Sequence, residues 1–324
     1  MTIEAGSTAE GAGRRIRLGM VGGGEGAFIG AVHRIAARLD DHYELVAGAL
    51  SSTPEKALRS AQALGLARAY PDYRTMAREE AARGADGIEA VAIVTPNDQH
   101  APAAEAFLEA GIHVICDKPV TTTLAEAQRL RELARSKGLL LAVTYNYSGY
   151  PMVRRARQLV REGALGTLRV VQVEYAQDWL TEPLEASGQK QAAWRTDPAR
   201  AGAGGCIGDI GTHAYQLAAF VSGLQTESLC AELSAFVPGR ALDDNVQVLL
   251  RFAGGARGML WASQVAPGNE NGLRLRIYGD KAGLEWRQEH PNQMHWSPFG
   301  QATQIISRGT GAANADAARV SRLP

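Results

Sequence analysis

Lys118 stands at a telling point of the chain: it follows a short apolar run, 111–116, and Asp117, and it directly precedes Pro119. Proline fixes φ, lacks an N–H and pushes the residue before it toward extended backbone. The segment can neither run on as a central strand nor enter a helix interior, so the lysine is left at a strand end. In an open parallel sheet, ligands bind in the crevice beyond the carboxyl ends of the strands, and Lys118 is expected in such a crevice. Without that company it reads as an ordinary solvated lysine. A second reactive set lies in Gly204-Gly205-Cys206-Ile207-Gly208-Asp209-Ile210-Gly211-Thr212-His213. If a helix has begun by Asp209, that residue and His213 share one face, where a carboxylate and an imidazole can converge on one substrate group. The glycines before them let a ligand approach closely. Taken alone, the pair also reads as a helix cap and a packed histidine.

The elements that must position these groups alternate in type. Residues 16–21 form a buried-strand run, followed by glycines and then by Phe28-Ile29, Val32-His33 and Ile35-Ala36 at helical spacing. A strand at 43–50, a helix at 54–64 with proline in its first turn, and a strand at 88–94 come next. A helix at 101–110, a strand at 112–116, a helix at 124–136 and a strand at 139–144 continue the pattern. Such units predict an α/β domain, a Rossmann-type doubly wound parallel sheet with helices on both faces. After about residue 150 the rhythm changes. A helix at 152–162 leads to strands at 167–174, 229–236, 246–252, 258–264 and 273–278, with a helix at 212–221 between the first two. Short turns such as Ala253-Gly254-Gly255 join consecutive strands, which predicts a C-terminal α+β domain with a mostly antiparallel open sheet.

At 324 residues the chain exceeds the usual single-domain size, and its 45% apolar residues suffice for two cores. Basic and acidic residues balance at 34 each, so no global field draws in nucleic acid or an anionic membrane, and a small-molecule partner is favoured. Cys116, Cys206 and Cys230 are odd in number and lack CxxC spacing, which indicates neither a disulfide framework nor a zinc site. A cytoplasmic protein without a metal is expected. Residues 1–13 lack the apolar core of a signal peptide, and no apolar stretch approaches the roughly 18 residues that span a bilayer.

Gly22-Gly23-Gly24-Glu25-Gly26-Ala27 fits G-x-G-x-x-A between a strand and a helix, the dinucleotide fingerprint in its proper setting. Backbone there must approach a pyrophosphate without Cβ atoms in the way, with the helix N-terminus adding free N–H groups and partial positive charge. A carboxylate at the end of the second strand would select NAD; this chain has Ser51-Ser52-Thr53-Pro54-Glu55-Lys56 instead. Ser51, Ser52 and Lys56 can accommodate a 2′-phosphate, a lean toward NADP, while Ser52 or Thr53 can also cap the next helix. Thr95-Pro96-Asn97 follows the 88–94 strand at the same sheet edge and can line the cofactor, or Asn97 can cap a helix beginning near Asp98. The expected organisation is a disordered tail at 1–13, a dinucleotide-binding Rossmann domain at 14–148, an α+β substrate and oligomerisation domain at 149–300, and a loop or disordered stretch at 301–324.

In these residues the sequence resembles the Gfo/Idh/MocA family of NAD(P)-dependent oxidoreductases, whose members act mainly on sugars, inositols and related polyols. The likeness rests on the G-x-G-x-x-A turn, on Thr95-Pro96-Asn97 with His100, on Asp117-Lys118-Pro119 where the family has Glu-Lys-Pro, and on Gly-Gly-x-x-x-Asp-x-x-x-His ending at His213; it spans roughly 15–290. The resemblance implies that Lys118, Asp209 and His213 are the catalytic set of a sugar or inositol dehydrogenase, moving hydride between a carbinol carbon and a nicotinamide while a base takes the hydroxyl proton. His213 is the first choice for that base, since imidazole titrates near roughly 6.5 whereas a lysine would need a downward shift of about three units. Lys118 would then hydrogen-bond the reacting oxygen. Cofactor contacts are implied for Gly22, Gly24, Gly26, Ala27, Ser51, Ser52, Lys56, Thr95, Pro96, Asn97, His100, Asp117 and Lys118. Substrate contacts are implied for Tyr145-Asn146-Tyr147 and Trp194-Arg195 beside Asp209 and His213, with Arg154 and Gln172 as weaker candidates; the aromatic groups equally suit packing. A homodimer or homotetramer through the C-terminal sheet follows by the same likeness.

Two departures from the family are visible. Aspartate at 117 is one methylene shorter than the usual glutamate. The family also continues with helical sequence where this chain ends at Arg322-Leu323-Pro324, so a truncated C-terminus is one reading of 301–324. Two rival functions stay open: a glycoside-cleaving or epimerising enzyme with a tightly bound, recycling NAD, and a non-catalytic NAD(P)-binding regulator.

Overall fold

The computed structural model describes residues 14–309, which fall into two compact units. The first comprises the described residues up to 95 together with 99–120 and 124–143; the second comprises 96–98, 121–123 and the described residues from 144.

The first unit alternates strands and helices: β1 (Ile16–Gly22), α1 (Phe28–Leu39), β2 (Tyr43–Ala49), α2 (Pro54–Ala63), β3 (Arg68–Ala69), α3 (Tyr73–Ala82), β4 (Ala90–Val94), α4 (His100–Glu109), β5 (His113–Cys116), α5 (Leu124–Ser136) and β6 (Leu141–Val143). All pairings are parallel in the order β3-β2-β1-β4-β5-β6, the doubly wound order that reverses direction at β1 and β4. The pleat explains two cores from one sheet. Along β4, Val91 and Ile93 join Phe107, Leu108 and Leu130 on one face, while Ala90, Ala92 and Val94 join Leu18, Met20 and Leu50 on the other. Phe107, Leu108 and Leu130 are fully buried, each worth about 1.5–3 kcal/mol of apolar transfer. The helix α3 and the short β3 lie in the stretch 65–87, for which the sequence pattern predicts nothing.

The second unit contains α6 (Pro151–Arg161), β7 (Leu168–Ala176), α7 (Lys190–Arg195), α8 (Pro198–Ala201), α9 (Thr212–Ser222), β8 (Thr226–Ser234), β9 (Asn245–Phe252), β10 (Arg257–Ser263), β11 (Gly272–Gly279), β12 (Ala282–Arg287), β13 (Gln293–Pro298) and β14 (Gln304–Ser307). Its strands run β14-β13-β12-β11-β7-β10-β9-β8, antiparallel except for the parallel β10–β7 pair. Register sorts the faces. One row, Val248, Leu260, Val173, Leu275, Trp286 and Met294, is buried under α6 and α9. The next row, Leu249, Met259, Gln172, Arg276, Glu285, His295 and Ile305, points the opposite way. The expectation of loop at 301–324 needs correction: Gln304–Ser307 pairs with β13 as an edge strand. The predicted tail at 1–13 and residues 310–324 lie outside the described residues.

Candidate active site

In the first unit, the turn after β1 is built for close backbone approach. Gly22 and Gly23 have φ of +78° and +73°, and Gly26 has +74°, conformations that L side chains avoid. Gly24 donates its N–H to the Leu50 carbonyl at 3.1 Å, Glu25 donates to Ser60 Oγ at 3.1 Å, and Arg34 Nη1 reaches back to the Gly23 carbonyl at 2.7 Å. A Cβ on Gly24 would fall 2.5 Å from the Leu50 carbonyl oxygen, so the turn admits no side chain there. Ala27 caps α1 in extended conformation with no side-chain bond to the first helical amides, and no acidic residue stands in that first turn. Those amides and their partial positive charge suit a phosphate. The residue that packs α1 on the turn is Gly30, which lies outside the fingerprint and which sequence reading missed; a β-carbon there would sit 2.3 Å from Gly23 Cα. Its signal was a further glycine two residues into the helix.

At the end of β2, Ser51 Oγ accepts from the Thr53 N–H at 3.2 Å, while Thr53 caps α2 without a side-chain bond. Ser51 and Lys56 are half-buried and Ser52 exposed. Thr95, after β4, has a buried Oγ1 with no hydrogen-bond partner among the described residues, a donor left over beside the glycine turn's neighbouring strand end. The glycine turn, the uncapped helix and this hydroxyl fit a dinucleotide. His100 is buried, its ring nitrogens 2.7 Å from the Pro119 carbonyl and 2.9 Å from the Thr95 carbonyl, so it ties the loop after β4 to the loop after β5. Asp117 follows β5, donates its N–H to Ile93 and accepts the Lys118 N–H on Oδ1 at 2.9 Å. Burial holds His33 on α1 below the ordinary imidazole range, with Asp117 pulling the other way. Lys118 itself is half-buried at the strand end, and the Lys118–Pro119 peptide is cis.

In the second unit, Asp209 lies in a turn of π-helix, Ile207–Gly211, that runs into α9, and His213 sits in the first turn of α9. The expectation of one regular helix through both is thus modified by a wider turn. Asp243 anchors it: Oδ1 accepts from Gly205 N–H at 2.7 Å, Oδ2 from Ile207 N–H at 2.8 Å, and the Asp243 carbonyl from Cys206 N–H at 2.8 Å. Asp209 Oδ2 accepts from Gln264 Nε2 at 2.9 Å and lies 3.3 Å from Arg195 Nε, whose guanidinium stacks 4.2 Å over the Trp194 ring. His213 is buried against the edges and faces of Tyr147, Tyr145 and Tyr175, with centroids 5.0, 5.6 and 6.3 Å away. Tyr147 and Tyr175 share a hydrogen bond of 2.5 Å, and Tyr175 donates to Asn271. Burial pushes both phenols up, so they stay protonated.

Of the predicted substrate residues, Arg195 with Trp194 joins Asp209; Tyr145 bonds Thr212 at 2.7 Å and faces His213, Tyr147 is a buried wall of the histidine, and Asn146 is exposed. Gln172 is brought elsewhere: strand alternation puts it beside Met259, on the sheet face opposite Tyr175. A 3-10 turn at Asn97–Gln99 leads into α4 at His100, close to the expected helix start, and Asn97 Nδ2 donates to the Ala201 carbonyl at 3.0 Å. Arg154 sits on α6 with its Nε buried. Asp243, Gln264 and Tyr175 were not marked by any local motif.

Residues 16–145 match the family described as "Oxidoreductase family, NAD-binding Rossmann fold", and residues 153–285 match "GFO/IDH/MocA C-terminal domain". An uncharacterized oxidoreductase of Bacillus subtilis (strain 168) is 39% identical over 302 residues, 91% of this chain and 76% of that protein. Levoglucosan dehydrogenase of Pseudarthrobacter phenanthrenivorans is 28% identical over 87% of this chain and 76% of its own. The crystal structure of an inositol dehydrogenase homolog from Azotobacter vinelandii, complexed with NADH and myo-inositol, superposes with a TM-score of 0.89 at 38% identity, covering 96% of this chain and 80% of that one. Both halves of the chain, matched across most of their lengths, make it a member of the Gfo/Idh/MocA family, an NAD-binding oxidoreductase.

Proposed function

We propose that the chain is a cytoplasmic dehydrogenase that moves hydride between a nicotinamide dinucleotide and a hydroxyl-bearing carbon of a sugar, inositol or related polyol. The observation that carries this reading is the Asp209 carboxylate, held by Arg195 and Gln264 one turn before a tyrosine-walled His213. Such a set offers a base, an anionic acceptor for hydroxyls and aromatic surface together, which suits a polyhydroxylated ring. When bound, the dinucleotide supplies the hydride acceptor or donor. Gly22, Gly24, Gly26 and the first turn of α1 would hold its pyrophosphate, with Thr95 to Asn97 along it. Ser51, Ser52 and Lys56 would take the adenosine ribose, where the absence of a carboxylate supports NADP(H); the NADH in the Azotobacter complex supports NAD(H). His213 takes the hydroxyl proton, Lys118 hydrogen-bonds the same oxygen and steadies its developing charge, and Asp209 accepts a hydrogen bond from the substrate. Myo-inositol and levoglucosan, the ligand and substrate named for the relatives, head the screen of cyclitols and aldoses with each nucleotide. Reduced nucleotide accumulating with a polyol is the expected result. Turnover without added nucleotide would point to the recycling enzyme, and a bound dinucleotide with no turnover of any polyol would point to a regulator.

A homo-oligomer through the outer face of the eight-stranded sheet belongs to the same proposal. Leu249, Met259 and Ile305 share one row of that face and are exposed. Leu249→Arg is expected to lower the mass measured by light scattering, and an unchanged mass would count against this face.

A further inference from the structure

Gln264 follows β10 and is buried. Its N–H donates to the Asp244 carbonyl at 2.8 Å, and its own carbonyl accepts from the Leu180 N–H at 3.0 Å, which fixes the main chain on both sides. Asp244 is fixed in turn: its carboxylate accepts from the Phe236 and Val237 amides at 2.9 and 3.0 Å and from Arg240 Nη1 at 3.1 Å. What remains is the side-chain amide, and it is aimed at Asp209 Oδ2, 2.9 Å away. The same oxygen has a second suitor in Arg195, which lies on a six-residue helix, keeps 24% of its side chain exposed and divides its donors with Gln191. A carboxylate between two donors takes the position their geometries dictate together. The buried neutral amide adds direction without cancelling the charge, whereas the half-buried guanidinium alone would leave the carboxylate free to follow it.

We propose that Gln264 is a positioning residue: its amide fixes the orientation of the Asp209 carboxylate independently of Arg195. This rests on the reading that Asp209 serves the reaction. Among the described residues, the titratable groups around Asp209 include Arg195 from α7, His213 one turn on, Tyr147, Tyr175 from β7, and Cys206 just before its turn.

The test compares kcat and KM against pH for the full chain and its Gln264→Met, Gln264→Glu and Asp209→Asn variants, with added nucleotide and myo-inositol, or levoglucosan if only that is turned over. Gln264→Met is expected to lower kcat roughly 10- to 100-fold, as loss of alignment does, with the nucleotide KM unchanged. Its acid limb moves upward because the ionised carboxylate has lost a donor, and Gln264→Glu moves it further, since two carboxyls then share the site. Wild-type kcat and pH profile in the Gln264 variants, with Asp209→Asn inactive, overturns this inference and leaves the proposed function standing. An unimpaired Asp209→Asn, or a wild type that turns over no polyol, overturns the proposed function and this inference with it. Glutamate matches glutamine in shape, so the Gln264→Glu profile decides the matter even where Gln264→Met fails to fold.

Discussion

Gly30, in the first turn of α1, lies so close to Gly23 in the turn after β1 that a β-carbon on Gly30 would meet the Gly23 Cα at 2.3 Å and its carbonyl oxygen at 2.5 Å. Every near atom is main chain, so no side chain can swing aside. The helix therefore rests on the turn itself, and the conformation of the turn and the placement of the helix N-terminus are one feature.

Gly30→Ala should separate them. Overpacking of this kind costs about 1–3 kcal/mol, so the melting temperature is expected to fall by several degrees and NADH affinity, read by fluorescence, to weaken. Wild-type values of both would show that the turn tolerates a wider spacing.

Lys118→Ala and His213→Ala are each expected to lower kcat by at least ~100-fold, the usual cost of losing a general base or a group that stabilises developing charge. Steady-state kinetics with the polyol found in the screen checks this. Turnover near wild type in both variants would remove them from the reaction.

Ser51→Asp puts a carboxylate at the end of β2, where it can bond a ribose 2′-OH and repel a 2′-phosphate. The ratio of kcat/KM for NADP over NAD should fall. No change in that ratio would mean that the adenosine end lies away from Ser51.

Glu80 offers a test of stability away from the reaction. Its carboxylate has no exposed surface and accepts from Arg68 Nε at 2.6 Å, Tyr70 OH at 2.7 Å and Ile88 N–H at 3.0 Å. Burial alone would raise its pKa, but these donors win and hold it below the ordinary value. A depressed carboxylate contributes stability that is complete above its unfolded value of about 4.3 and is lost as pH falls through the folded value. Glu80→Ala should cost ~3 kcal/mol at neutral pH, by urea unfolding, and less in acid. An equal cost at both pH values would deny the ion pair its part.

The alternating half of the fold was legible because β1, β4 and the helices after them bury apolar residues at their own periods. Helix α3 was not, since its inward positions are Met76, Ala77 and Glu80, and a charge in the core breaks the apolar pattern. β12 alternates Ala282, Leu284 and Trp286 inward, yet with only six residues directly after β11 it was missed, and β13 and β14 carry glutamine, histidine and serine with little alternation to follow. For the site, Lys118, Asp209 and His213 stand in local motifs that backbone chemistry makes visible. Gln264 and Asp243 do not, because the groups they hold are 55 and 36–38 positions away. No window along the chain contains both ends of those bonds.

The grip of Asp243 on three successive amides has an evolutionary side. Since residues 205–207 are clasped from the strand side of the unit, the 187–200 stretch carries, Arg195 aside, none of that load. Its length and lettering can therefore change while the turn that carries Asp209 stays where it is.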